Sequence, residues 1–225
     1  MNARDLEIVV DADPARVVAE RLAEKARGGG SIVLTGGSTP RIAYELAASL
    51  EPDWSKTELW WGDERCVPAD DERSNYGMAK AALLDRLSVP PAAVHRMPGE
   101  LGKDAGADEY EQELGHAAFD LLLLGLGPDG HLASLYPNQP TLEVDDRRAI
   151  GAEAHLEPYV DRITLTIPTL RGAGEVLFLV AGEDKADAVA RAFADDPDPA
   201  TPGSLVRSET GRTWAVLDPA AASKL

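Results

Sequence analysis

One stretch of this chain combines the residue types from which a hydrolytic or binding site is built. Leu121–Leu124 is an unbroken apolar run, the mark of a strand buried on both faces. It passes directly into Gly125, Gly127, Pro128, Asp129 and Gly130, and His131 follows the last glycine. A buried strand that ends in a glycine-rich turn sets the next side chains at the carboxyl edge of a sheet, where open α/β proteins bind ligands. A histidine held there is a proton acceptor or donor near neutral pH. The spacing Gly125-x-Gly127-x-x-Gly130 also satisfies the dinucleotide-binding turn. That turn needs an acidic residue about 20 positions further on, at the end of a second strand. Here residues 141–148 are polar with no strand ending near them, and Pro128 removes a backbone donor inside the turn.

Three other strand ends carry chemistry. Residues 31–35 read as a short strand running into Gly36, Gly37, Ser38, Thr39 and Pro40 and then a helix. Backbone N–H groups and hydroxyls in that arrangement receive a phosphate at a helix N-terminus; an ordinary capped turn reads the same way. It is not a Walker A loop, because no Gly-Lys-Ser/Thr is present. Thr57–Trp61 is a third strand, followed by Gly62, Asp63, Glu64, Arg65 and Cys66. A guanidinium at Arg65 suits phosphate or carboxylate, whereas a solvated loop would make these charges a weak surface ion pair. Cys66 reads as a small buried apolar residue. Glu175–Val180 is another buried strand, and Lys185 follows it in the first turn of a helix running to about residue 194. A cation there opposes the helix dipole, which a bound anion would offset and bulk solvent would tolerate.

The elements needed to position these residues alternate along the chain. Leu6–Val10 is a first strand; residues 14–27 form an amphipathic helix with Asp13 as its cap and Pro14 at its first position. Residues 74–87 form a helix capped by Ser74 and broken at Pro90-Pro91, and residues 107–114 form an acidic surface helix. Residues 132–135 begin a short helix facing the same pocket as His131, and residues 162–167 alternate as a strand. Residues 195–202 are a Pro/Asp-rich loop, and residues 213–217 are the last strand. Strands alternating with helices predict an α/β fold with a mainly parallel sheet flanked by helices, and 225 residues suit a single domain, 1–225.

Charge and composition narrow the function. A formal charge of −17 argues against non-specific binding to nucleic acid or to an anionic membrane. It leaves room for an anionic small molecule in a locally basic pocket, since surface charge is screened over roughly 8 Å. The single cysteine excludes an intramolecular disulfide and a cysteine-based zinc site. The first residues lack a signal-peptide pattern, and no apolar run approaches the ~20 residues of a membrane span; a soluble cytoplasmic protein is expected. His95, His116 and His155 have no metal-ligand spacing and read as structural or exposed.

Taken together, LTGGSTP, WWGDERCVPADDERSNYGMA, LLLLGLGPDGHLASLYP, RITLTIP and LFLVAGEDKADAV, in that order and spacing over residues 31–214, resemble the 6-phosphogluconolactonase family. That family shares a superfamily with glucosamine-6-phosphate deaminase/isomerase. The resemblance implies a modified Rossmann-like fold and hydrolysis of 6-phospho-D-glucono-1,5-lactone, the second step of the oxidative pentose phosphate pathway, with no redox cofactor and no metal. It implies His131 as general base toward water, with Asp129 orienting it or contacting sugar hydroxyls. Arg65 or backbone N–H groups of the 125–130 loop are implied as oxyanion donors. The phosphate end falls to Gly37, Ser38 and Thr39 with Lys185 and Arg162, and Asp63, Gly127 and Gly130 complete the implied substrate contacts. A monomer or weak homo-oligomer is expected.

The sister deaminase fits less well. It carries Asp-Glu-Tyr where this chain has Asp63-Glu64-Arg65, and a glutamate-bearing run where this chain has Ala133-Ser134-Leu135-Tyr136-Pro137. Opening an amino sugar and abstracting a C2 proton need more acid–base groups than one histidine. A non-catalytic sugar-phosphate sensor would normally need a DNA-binding segment, and the acidic charge counts against one. Leu132 stands where many lactonases have threonine and is assigned no role.

Overall fold

The computed structural model describes residues 6–155, 157–194 and 196–225. The first five residues, and Asp195 at the start of the expected Pro/Asp-rich loop, lie outside them. In chain order the strands and helices are β1 (Leu6–Val10), α1 (Pro14–Gly28), β2 (Gly30–Leu34), α2 (Ser38–Leu50), β3 (Thr57–Trp61), β4 (Asp63–Arg65), α3 (Asn75–Ala82), β5 (Ala93–His95), α4 (Lys103–Leu114) and β6 (Leu121–Leu124). Then come β7 (Ala149–Ala152), β8 (Arg162–Leu165), α5 (Ile167–Arg171), β9 (Glu175–Val180), α6 (Ala186–Ala192) and β10 (Arg212–Leu217). Seven strands form a sheet in the order β1-β10-β9-β6-β2-β3-β5, and every neighbouring pair in it is parallel.

The sheet is doubly wound. From β2 the chain moves outward through β3 and β5, then returns to the other side of β2 as β6 and proceeds outward through β9 and β10; the first strand, β1, lies outside β10 at that edge. The reversal lies between β2 and β6. All four residues of β6 and all six of β9 are buried, as expected of parallel strands covered by helices on both faces. Helix α1 begins as its sequence dictates, with the Asp13 carboxylate accepting from the Arg16 N–H and Pro14 at the first position.

A second, three-stranded antiparallel sheet, β4-β8-β7, departs from the sequence reading. The charged residues after β3, read as a loop, are strand β4. Its partner β8 ends at Leu165 and belongs to this small sheet, not to the main one. Three-residue strands such as β4 and β5 carry too short a pattern for a period of two to show. Other boundaries shift for local reasons. Helix α3 ends at Ala82, and a 3-10 turn, Leu84–Arg86, carries the apolar pattern on. Helix α4 starts earlier, at Lys103, after Gly102 at φ 82°. Residues 132–135 form no helix: Ala133 takes a left-handed φ of 47° and Leu132 bridges Leu135 antiparallel. Lys185 ends a 3-10 turn and caps α6 instead of lying in its first turn.

Candidate active site

The carboxyl ends of β2, β3, β6 and β9 meet at the topological switch, where a cleft of about 220 Å³ opens. Gly36 and Gly37 reach it from β2, and Gly125, Gly127 and His131 from β6. Asp63 and Arg65 come from β4, and Lys185 follows β9. Of the residues singled out from sequence, the structure therefore brings Gly37, Asp63, Arg65, Gly127, His131 and Lys185 to one cavity. Ser38, Thr39, Asp129, Gly130 and Arg162 are not on its lining. Ser38 is exposed at the start of α2, whose N-terminus has no side-chain cap and leaves its first N–H groups open to a ligand.

The turn after β6 is closed on itself. The Gly127 N–H donates to the His131 carbonyl at 2.8 Å and the Gly130 N–H to the Gly127 carbonyl at 2.9 Å. Gly130 has φ 95°, a conformation that favours glycine, and its carbonyl accepts from the Gly203 N–H. Asp129 folds back within this turn. Its Oδ1 lies 2.6 Å from His131 Nδ1 and accepts the His131 backbone N–H at 3.1 Å. A carboxylate only accepts, so Nδ1 is the protonated nitrogen of the neutral ring and Nε2 carries the free lone pair. Burial pushes the Asp129 carboxyl up, but its hydrogen bonds to His131, and the charge of that ring when it is protonated, outweigh burial and hold it below the usual carboxylate range. The ring of Tyr136 packs against the imidazole at 5.2 Å between centroids.

On the opposite side, β4 and β8 present one polar face. Asp63 stands opposite Thr164, and Arg65 opposite Arg162, so these four side chains share a face of the small sheet. Arg162 is 3% exposed. Its Nη2–H donates to the Pro158 carbonyl at 3.0 Å, while Nη1 meets no partner among the described residues. Arg65 donates to the Arg73 carbonyl. Two guanidinium groups placed directly across a strand pair repel unless an anion lies near. Glu64 points the other way and is almost fully buried. It accepts the N–H groups of Arg65, Asn75 and Tyr76 at 2.7, 2.7 and 2.8 Å and the Ser74 hydroxyl at 2.9 Å. Burial pushes its carboxyl up against those four bonds. Glu64 thereby ties α3 to β4 and fixes the strand that carries Asp63 and Arg65. Cys66 is not a nucleophile candidate: burial pushes its thiol up to about 11.

Sequence reasoning missed Asn75, Ser134 and Tyr136. Ser134 Oγ–H donates to Asp63 Oδ2 at 2.7 Å. Asn75 Nδ2–H donates to the Asp63 carbonyl at 2.9 Å and to Asp63 Oδ1 at 3.2 Å. The only signal for Asn75 was its place directly after the helix cap Ser74, and that position alone carries no chemistry.

The fold and cleft define a doubly wound α/β protein with a carboxylate-paired histidine, an arginine and a lysine at its switch point. A family model described as "Glucosamine-6-phosphate isomerases/6-phosphogluconolactonase" matches residues 8–215, and the chain belongs to that family. The 6-phosphogluconolactonase of Streptomyces coelicolor is 42% identical over 99% of this chain and 92% of its own length, which sets the chain with the lactone hydrolases of the family. The solved structure of 6-phosphogluconolactonase from Trypanosoma cruzi superposes with a TM-score of 0.86 at 28% identity, covering 100% of this chain and 98% of that one. A monomeric glucosamine-6-phosphate deaminase shares the fold, with a TM-score of 0.83 at 19% identity over 100% of both chains. Among the described residues no helix is long and apolar enough to cross a membrane.

Proposed function

We propose that the cleft hydrolyses 6-phospho-D-glucono-1,5-lactone to 6-phospho-D-gluconate, the second step of the oxidative pentose phosphate pathway, with His131 as general base. The observation that carries the mechanism is the 2.6 Å contact of His131 Nδ1 with Asp129 in a cleft shared with Arg65 and Lys185. With Nδ1–H committed to Asp129, Nε2 takes a proton from water as its oxygen attacks C1. The carbonyl π-electrons move onto oxygen, and Arg65 or N–H groups of the 125–130 loop meet that charge, worth ~10²–10³ in rate. Collapse of the intermediate breaks the bond from C1 to the ring oxygen, which takes the proton back from His131. Asp129 holds the imidazolium between these steps. Hydrolysis changes no oxidation state, so the reading calls for no redox cofactor.

The phosphate sits where Gly37, Ser38 and Thr39 open α2, near Lys185, with buried Arg162 adding positive potential behind Arg65. The same reading makes the chain a single domain acting on a small cytoplasmic metabolite, as a monomer or weak homo-oligomer. The test is hydrolysis of freshly made lactone with spontaneous opening subtracted. Wild type should turn over rapidly, and His131→Ala should lose ~10²–10⁴. A variant as fast as wild type discards His131 as base. A wild type without turnover discards the lactonase, and ammonia release from glucosamine 6-phosphate then decides for the deaminase.

A further inference from the structure

The side-chain oxygen of Asn75, a residue of the cleft lining, has no donor among the described residues and no assigned task. Asn75 is 2% exposed and lines the cleft. Its carboxamide orientation is settled by its neighbours. Two oxygen acceptors of Asp63 lie on one side, at 2.9 and 3.2 Å, so the amide nitrogen, the only donor of the group, must stand there. Oδ1 then points the other way, toward Gly36. A Cβ on Gly36 would lie 2.0 Å from Oδ1, so glycine there is what lets the carbonyl occupy this place. No donor meets Oδ1 among the described residues. Oδ1 is not among the fully buried side-chain atoms that lack a partner, so solvent in the cleft reaches it and water serves as its donor. A substrate that fills the cleft expels that water and must replace its hydrogen bond.

The donors available on the lactone of the proposed reaction are its ring hydroxyls, because its phosphate and carbonyl oxygens only accept. We infer that Asn75 Oδ1 accepts a hydrogen bond from one ring hydroxyl of the sugar lactone and makes Asn75 a substrate-specificity residue. Asp63 is the positioning residue behind it. Its two oxygens, one held by Ser134 and one by Asn75, lock the carboxamide so that the acceptor, not the amino group, faces the substrate. A ligand with a hydroxyl at that point is favoured over one with a hydrogen or a carbonyl.

This inference rests on the lactonase reading, and the experiment separates the two. kcat/KM is measured for wild type and Asn75→Ala on the phosphorylated lactone and on analogues each lacking one ring hydroxyl. Wild type should lose about tenfold on one analogue, the size of a neutral hydrogen bond. Asn75→Ala should lose about tenfold on the parent lactone and show no further loss on that analogue. If the variant slows on all substrates alike, or wild type ignores all the deletions, the inference fails while the lactonase stands. If wild type opens none of the lactones, the lactonase reading itself fails. Should Asn75→Ala not fold, Gly36→Ala, whose methyl group displaces Oδ1, must abolish the same preference; a preference that survives it overturns the assignment.

Discussion

Replacing Gly127 by alanine tests the catalytic geometry without removing any functional group. The added Cβ would lie 2.0 Å from His131 Nδ1, 2.1 Å from its Cε1 and 2.7 Å from Asp129 Oδ1. Carbon contacts settle at about 3.5 Å, so the imidazole has to retreat by roughly 1.5 Å. Gly127 is not among the residues with positive φ, so alanine fits the backbone and any effect comes from the collision. Displacement breaks the contact with Asp129 and moves Nε2 away from the water whose proton it takes. A misplacement of ~1 Å costs about 10²-fold in rate, and a lost charge-assisted hydrogen bond costs about 1.5–3 kcal/mol. We expect kcat to fall roughly 10²–10³-fold by these two effects. KM should stay within about threefold, because the Arg65 and Lys185 end is untouched. Overpacking should cost about 1–3 kcal/mol of stability. The assay is initial-rate hydrolysis with spontaneous opening subtracted, alongside thermal denaturation. The double variant Gly127→Ala/His131→Ala should be no slower than His131→Ala, since both act on one group. A folded Gly127→Ala enzyme with wild-type kcat would refute the account of how the ring is held.

Glu64→Gln should lower the melting temperature by about 5–15 °C, from a loss of roughly 2–4 kcal/mol. The amide nitrogen would face either the Arg65 and Asn75 N–H groups or the Tyr76 N–H and the Ser74 hydroxyl, all of which now meet carboxylate oxygens; an unchanged melting curve would count against that clamp. Because the folded-state pKa of Asp129 lies below its ordinary value, its pairing with His131 contributes fully above about pH 4. That contribution is lost as pH falls through the depressed value. Asp129→Asn should therefore flatten the acid side of the stability profile, read by denaturation at several pH values. Cys66, with its thiol pushed up to about 11, should resist iodoacetamide at about pH 8, where an ordinary thiol is partly ionised. Rapid alkylation, followed by mass spectrometry, would show the thiol to be more accessible and acidic than its surroundings imply.

The order of the main-sheet strands and helices, β5 apart, was legible because each of those elements carries a local signal. The apolar runs Leu121–Leu124 and Glu175–Val180 read as buried strands and are such. Asp13 and Pro14 mark the start of α1. The small sheet was not legible. Strand β4 has three residues, all charged, and exists because β8, about 100 residues later in the chain, supplies its hydrogen bonds; long-range pairing of this kind leaves no periodicity to read. The 132–135 segment failed as a helix because tertiary bonds, such as Ser134 to Asp63, hold it in another conformation.

The sequence by itself determined which residues could do chemistry and the family to which the chain belongs, since glycine spacing, the Asp-Gly-His run and the strand-end motifs are local or ordered patterns. Only the tertiary structure decided which of them share a cavity. It placed Lys185 in one cleft with His131, set Arg162 across the strand pair from Arg65, left Ser38 and Thr39 off the lining, and brought Asn75 to the lining. The reason is physical: a side chain's type is local, but its neighbours are set by sheet order and register, which depend on contacts between distant parts of the chain.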